Sequence, residues 1–92
     1  MKRRLVGTMD DDAEANVSDT IQSENKLVVI CSGDITALSL ERRAEHVLPE
    51  TWDTIAVIDA PGIYYFRFPG EFRLSHAAVG SEDEIGFTML SF

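Results

Sequence analysis

The chain has few of the residues on which most metalloproteins and secreted domains depend. Its single cysteine, Cys31, excludes an internal disulfide, and its two histidines stand at no spacing that would suit a zinc site. No apolar run approaches the roughly 20 residues of a membrane helix. The apolar stretch before the first aspartates is also too short for a signal peptide. We therefore expect a cytoplasmic protein that holds no metal and no other cofactor.

Positive charge is also scarce. Lys and Arg number 8 against 16 Asp and Glu, which leaves a net charge of -8. Such a charge repels nucleic acid and anionic membranes, but it suits a basic partner protein. With 92 residues, of which 45% are hydrophobic, the chain fits one globular domain. A domain this small gains stability from a partner or from self-association.

The composition divides the chain at residue 25. Residues 2–8 read as a short strand or a basic arm, and residues 9–25 are polar and acidic. Because the apolar residues of this second segment follow neither the helical nor the strand period, we interpret it as a linker or a partly ordered loop, with a weak helix as the alternative. Residues 1–25 are thus predicted to form an N-terminal arm and acidic linker, and residues 26–92 a compact domain.

The compact domain begins with one strand and one predicted helix. LVVIC, residues 27–31, is a continuous apolar run, typical of a strand buried on both faces. Residues 36–48 then repeat apolar side chains at helical spacing, and Pro49 ends the segment. The repeating residues are Leu40, Ala44, Val47 and Leu48.

Strand-like segments separated by turn residues follow the predicted helix. They are residues 54–59, 63–68, 72–78 and 85–92, with a turn at Pro61-Gly62, a loop at 69–71 and a polar loop at 79–84. The pattern predicts an α+β fold in which a single helix packs on a mainly antiparallel sheet. The predicted order of elements is β-α-β-β-β-β.

Pairing consecutive strands as hairpins sorts the side chains onto two faces. A three-residue loop at 69–71 pairs Phe66 with Leu74 and Tyr64 with His76, which separates apolar from charged residues. The face turned to the helix is then Ile55, Val57, Tyr64, Phe66, Phe68, Phe72, Leu74, Ile85, Phe87 and Met89. The opposite face is Ala56, Ile58, Tyr65, Arg67, Arg73, Ser75, Thr88, Leu90 and Phe92.

This second face mixes apolar groups with arginines, whereas a solvated sheet face is normally polar. Exposed apolar patches often mark interaction sites, and Tyr and Arg are favoured there. The predicted protein-binding residues are Ile58, Tyr65, Arg67, Arg73, Leu90 and Phe92. The sequence leaves open what covers them: the first 25 residues, a second copy in a homodimer, another protein, or a small molecule.

Two other functions compete with protein binding. Tyr65, Arg67 and Arg73 could stack single-stranded bases, although the net charge opposes nucleic-acid binding. Cys31 would stand at the start of the predicted helix, where a thiolate is stabilised, and His76 could serve as its base. No further catalytic motif accompanies them. The sequence therefore predicts no catalytic residue, and favours a small acidic regulatory protein that binds a protein partner or itself through a sheet face.

Overall fold

The computed structural model describes residues 2–12, 16–44, 51–77 and 79–92, and this part of the chain consists of strands without a helix. The strands are β1 (Arg3–Asp12), β2 (Asn16–Val17), β3 (Ile21–Ser23), β4 (Leu27–Gly33), β5 (Leu38–Arg43), β6 (Trp52–Ile58), β7 (Gly62–Phe66), β8 (Gly70–His76) and β9 (Val79–Ser91).

The strands form two antiparallel sheets that share one hydrophobic core. Sheet A has the strand order β1-β9-β4-β7, and sheet B has the order β2-β8-β5-β6, with β3 also paired to β8. Alternate residues of each strand point between the sheets, as in a β-sandwich. The core is Met9, Ile21, Leu27, Val29, Cys31, Ile35, Leu38, Leu40, Ile58, Phe72, Leu74, Ile85, Phe87 and Met89.

The predicted α+β fold, with its order β-α-β-β-β-β, is therefore wrong. Within residues 36–48, the segment Leu38–Arg43 is strand β5, which pairs with β6 on one side and β8 on the other. Leu38 and Leu40 are both fully buried, so the buried side chains of this segment repeat every two residues, as in a strand. Pairing on both edges overrides the helical spacing of this segment. Residues 45–48 of the predicted helix lie outside the described residues.

The predicted hairpin ladder is also wrong, although the strand positions are largely confirmed. Among the described strands, β5 and β6 are the one pair that is both consecutive and hydrogen-bonded. Between most other consecutive strands the chain crosses from one sheet to the other, and β2 and β3 both pair with β8 in sheet B. Phe66 lies opposite Leu27 in sheet A, and Leu74 lies opposite Leu40 in sheet B. The predicted polar loop at 79–84 is wrong too, since it forms the first half of β9.

The predicted core face is partly correct despite the wrong pairing. Most of its residues are buried or pack against the core, because strand alternation was assigned correctly in the segments that form β7, β8 and β9. In β6 the assignment was wrong, since Ile58 of the predicted opposite face lies in the core. Val57 and Phe68 are exceptions, with 54% and 41% of their surface exposed. Inside and outside are thus better determined by the sequence than strand partners are.

The described residues among the first 25 lie along the edges of the sheets. β1 is the edge strand of sheet A and pairs with β9, while β2 and β3 pair with β8 in sheet B. Met9 and Ile21 belong to the shared core. The described part of this segment extends both sheets and covers neither outer face.

Gly33 ends β4 at a point where no other residue fits. Its φ of 97° lies in the left-handed region, and it pairs with Ile85 of β9. A Cβ atom at this position would stand 2.0 Å from the carbonyl oxygen of Glu84. That carbonyl accepts a hydrogen bond from the amide of Asp34 at 3.1 Å, so it is held in place.

We expect Gly33→Ala to lower the free energy of unfolding by about 2 to 4 kcal/mol, because it adds both backbone strain and a steric clash. Gly86→Ala is the matched control. Its Cβ would meet the Ser32 Oγ at 3.0 Å, and that side chain can rotate away. Urea unfolding followed by circular dichroism measures both variants, and equal losses of stability would contradict this account of Gly33.

Candidate functional site

The strand register of sheet A aligns apolar side chains on the side that faces away from the core. Val6, Thr88, Ile30 and Ile63 form one row across the four strands. The neighbouring outward row is Arg4, Leu90, Val28 and Tyr65. Phe92 follows the end of β9, and its amide bonds to the carbonyl of Lys26. We call this surface the A face, defined by Val6, Ile30, Ile63, Tyr65, Leu90 and Phe92.

Solvent reaches much of the A face. The exposed fractions are 66% for Tyr65, 56% for Val6 and for Ile63, 38% for Phe92 and 37% for Ile30. Val28, between Leu90 and Tyr65, is only 6% exposed, so side chains around it cover the middle of this row. The expectation that residues 27–31 are buried on both faces therefore holds for Val28 but is wrong for Ile30. An exposed apolar patch of this kind often marks an interaction site.

One end of the A face is positively charged. The Lys26 ammonium lies 5.3 Å from the centroid of the Tyr65 ring and 5.4 Å from that of Phe92. A cation over aromatic rings at this distance is held by their negative π-faces. Arg4 stands in the same row as Tyr65 and is exposed.

The opposite end of the A face is acidic. Glu84 of β9 is exposed, and strand alternation turns its side chain to the same side as Gly86 and Thr88. Asp34, directly after β4, is exposed beside it, and the Glu84 amide approaches its carboxylate at 3.5 Å. The A face is thus apolar in the middle, cationic at one end and anionic at the other.

The outer face of sheet B has a different character. The Nε of Arg73 donates to Glu41 at 2.7 Å, and its guanidinium stacks 4.3 Å from the centroid of the Trp52 ring. Arg43 forms a second ion pair with Glu71 at 3.4 Å. Charged side chains on this face therefore neutralise one another across the strands.

The predicted protein-binding residues separate into two groups. Tyr65, Leu90 and Phe92 lie together on the A face. Arg67 is exposed directly after β7. Ile58 and Arg73, by contrast, do not share a face with Tyr65, so their placement was wrong. Both lie on strands of sheet B, where Ile58 is 2% exposed in the core and Arg73 is held by Glu41.

Several residues of the A face were missed by the sequence reasoning. They are Arg4, Val6, Lys26, Ile30 and Ile63. The run at 27–31 is apolar at every position, so it carries no alternation that could show which residues point outward. Arg4 and Val6 were hidden because residues 1–25 were interpreted as an arm and linker. The alternation of Arg4, Val6 and Thr8 was the available signal.

His76 has a structural role in the fold. Its Nδ1 donates to the carbonyl of Ala77 at 2.9 Å, and its Nε2 accepts from the amides of Thr36 at 3.3 Å and Ala37 at 3.4 Å. This pattern fixes the neutral tautomer that is protonated on Nδ1. His76 therefore anchors the segment between β4 and β5, and the predicted pairing with Tyr64 is wrong.

The expectation that Cys31 stands at the start of a helix is wrong, because Cys31 lies within strand β4. It is 4% exposed, and its Sγ contacts the carbonyls of Gly62 at 3.8 Å and Ala60 at 3.9 Å. Burial raises the pKa of the thiol, and the bond to Gly62 offsets part of that increase. A raised pKa leaves less thiolate at neutral pH, and the thiolate is the nucleophile.

In the part of the chain that the structure describes, no three His, Cys, Asp or Glu residues are grouped to hold a metal ion. That part also contains no helix that is long and apolar enough to span a membrane. No family model, curated protein or solved structure matches the chain. The A face is therefore the feature from which a function has to be inferred.

We expect Cys31 to react with iodoacetamide at neutral pH at least about 100-fold more slowly in the folded chain than in urea, because burial restricts access and raises the thiol pKa. The unfolded chain serves as the internal control. Mass spectrometry over time measures both rates. Similar rates in the two states would mean that the thiol is reactive.

Proposed function

We propose that this chain is a small, acidic, non-catalytic interaction protein of a regulatory kind, which binds a protein surface through the A face. The observation that carries the proposal is the difference between the two outer faces. Sheet B carries two ion pairs and two exposed valines, Val17 and Val57, whereas sheet A exposes a larger apolar group that includes two aromatic rings. A sheet face that only meets water normally alternates to polar residues.

The dimensions of the A face favour a modest but specific affinity. Four strands about 4.8 Å apart, followed over about six residues, cover roughly 400 Å². At 25 cal/mol per Å², burying that area on one partner contributes at most about 10 kcal/mol, which is of the same order as the 4 to 15 kcal/mol that association costs. A regulated, reversible contact fits this balance.

Tyr65 is the best candidate for the energetic centre of the contact. It is the most exposed aromatic or aliphatic residue of the A face and is oriented by Lys26. Tyrosine offers a large contact area with little side-chain entropy to lose. Ile63 stands beside it on the same strand and presents an aliphatic surface.

The alternatives from sequence have weaker support. For single-stranded nucleic acid, Tyr65 and Phe92 with Lys26 could stack bases, but Arg73 is engaged with Glu41 and Trp52 on the other sheet. The net charge of -8 also repels phosphates. A thiol-dependent enzyme would need a reactive Cys31, and burial works against that.

We expect Ile63→Asp to weaken protein binding at least about tenfold, because it places a charge inside the apolar contact. Val57→Asp is the matched control, since Val57 is 54% exposed on an outer position of sheet B and Ile63 is 56% exposed on sheet A. Each immobilised variant is compared with the original chain by quantitative mass spectrometry of proteins retained from source-cell extract.

The same variants are compared in light scattering, which detects self-association as binding. The proposal fails if Ile63→Asp and Val57→Asp retain the same proteins and the same molar mass as the original chain. Circular dichroism shows that both remain folded. A salt-dependent shift with a single-stranded oligonucleotide, lost on Tyr65→Ala, would instead favour the nucleic-acid function.

A further inference from the structure

We propose that the protein bound by the A face is a second copy of this chain, docked face to face with its strands reversed. The twofold axis lies in the interface, perpendicular to the strands, and passes through the row of Val6, Thr88, Ile30 and Ile63. This inference rests on the proposed function and names its partner. Symmetry and the charge distribution along the A face carry it.

Symmetry requires the A face to be complementary to itself. In a twofold dimer both copies use the same patch, so a contact between two different residues occurs twice, and a residue on the axis contacts its own copy. An axis perpendicular to the strands places each strand over its own copy in the reverse direction. The apolar middle row then meets itself, with Ile30 beside Ile30 and Val6 beside Val6. Aliphatic side chains can pack in this way without leaving a charge unpaired.

The charged ends select this orientation over the alternative one. Lys26 stands four residues from Ile30 toward one end, and Glu84 stands four residues from Thr88 toward the other. Reversal of the strands brings Lys26 of each copy to within one strand spacing, about 4.8 Å, of the position over Glu84 of the second copy. An axis parallel to the strands would instead oppose cations to cations, which is repulsive.

A second copy meets the requirements of this surface without any other component. The cationic end around Lys26 and Arg4 needs an acidic surface, and the same face supplies one at Glu84 and Asp34. The two apolar areas are equal in size because they are identical. An interface of roughly 400 Å² per copy belongs to the small, weak class, so we expect a dissociation constant in the micromolar range.

The test uses charge exchange between two single variants. Lys26→Glu places a carboxylate at the cationic end of the A face, and Glu84→Lys places an ammonium at the anionic end. We expect each variant alone to dimerise at least about tenfold more weakly than the original chain, because like charges then face each other. An equimolar mixture should recover dimer, since each acidic end meets a basic end. Sedimentation equilibrium from about 1 to 300 µM measures association.

Native mass spectrometry of the mixture identifies the recovered dimer as one copy of each variant by its mass. Circular dichroism verifies the fold of both variants. Val57→Asp again serves as the control and should dimerise as the original chain does. Recovery of the mixed dimer, at concentrations where each variant alone is mainly monomeric, is the result that supports the arrangement.

Three results overturn the inference. The original chain is monomeric throughout the concentration range, or Ile63→Asp dimerises normally, or both charge variants dimerise as strongly as the original chain. The first result leaves the proposed function standing if another protein is retained and Ile63→Asp loses it. If the monomeric chain retains no protein through the A face, the proposed function fails as well.

Discussion

The pairing of β4 with its two neighbours is the interaction on which the rest of sheet A depends. β4 bonds to β9 and β7, and β9 in turn bonds to β1. This register turns Leu27, Val29 and Cys31 into the core, and Val28 and Ile30 to the other side. Since side chains alternate strictly along a strand, burial of the first set forces the second set onto the outer face. The A face follows directly from the core.

The sequence predicted the positions of the strands better than the pairing between strands that are far apart in the chain. Apolar alternation correctly located β6, β7 and β8, but strand partners depend on crossings between sheets that leave no local signal. The apolar residues of 36–48 are compatible with both a helical and a strand period. The segment Leu38–Arg43 forms a strand because β5 is hydrogen-bonded on both edges. Tyr65, Leu90 and Phe92 were predicted on one surface, whereas Ile58 and Arg73 were misplaced because β6 and β8 belong to sheet B.

Cys31 and His76, which the sequence suggested as a possible catalytic pair, both contact backbone groups of the sandwich. Cys31 fills core space next to the carbonyls of Ala60 and Gly62, where an apolar environment disfavours the thiolate. His76 uses both ring nitrogens on backbone groups and so secures the passage from β4 to β5. The contacts of both side chains, and not their residue type, therefore indicate what they do in this fold.

The place of β9 in sheet A has a consequence for biosynthesis. Among the described strands, β1 comes earliest in chain order, and the strand that it pairs with in sheet A is β9, which comes latest. A chain still emerging from the ribosome therefore cannot close this sheet, and Leu5 and Met9 remain without their β9 neighbours until synthesis of β9 is complete. Pairing between such distant segments is slow and leaves apolar strands open to aggregation in the meantime. During that interval the acidic excess of the chain opposes association between incomplete copies through like-charge repulsion.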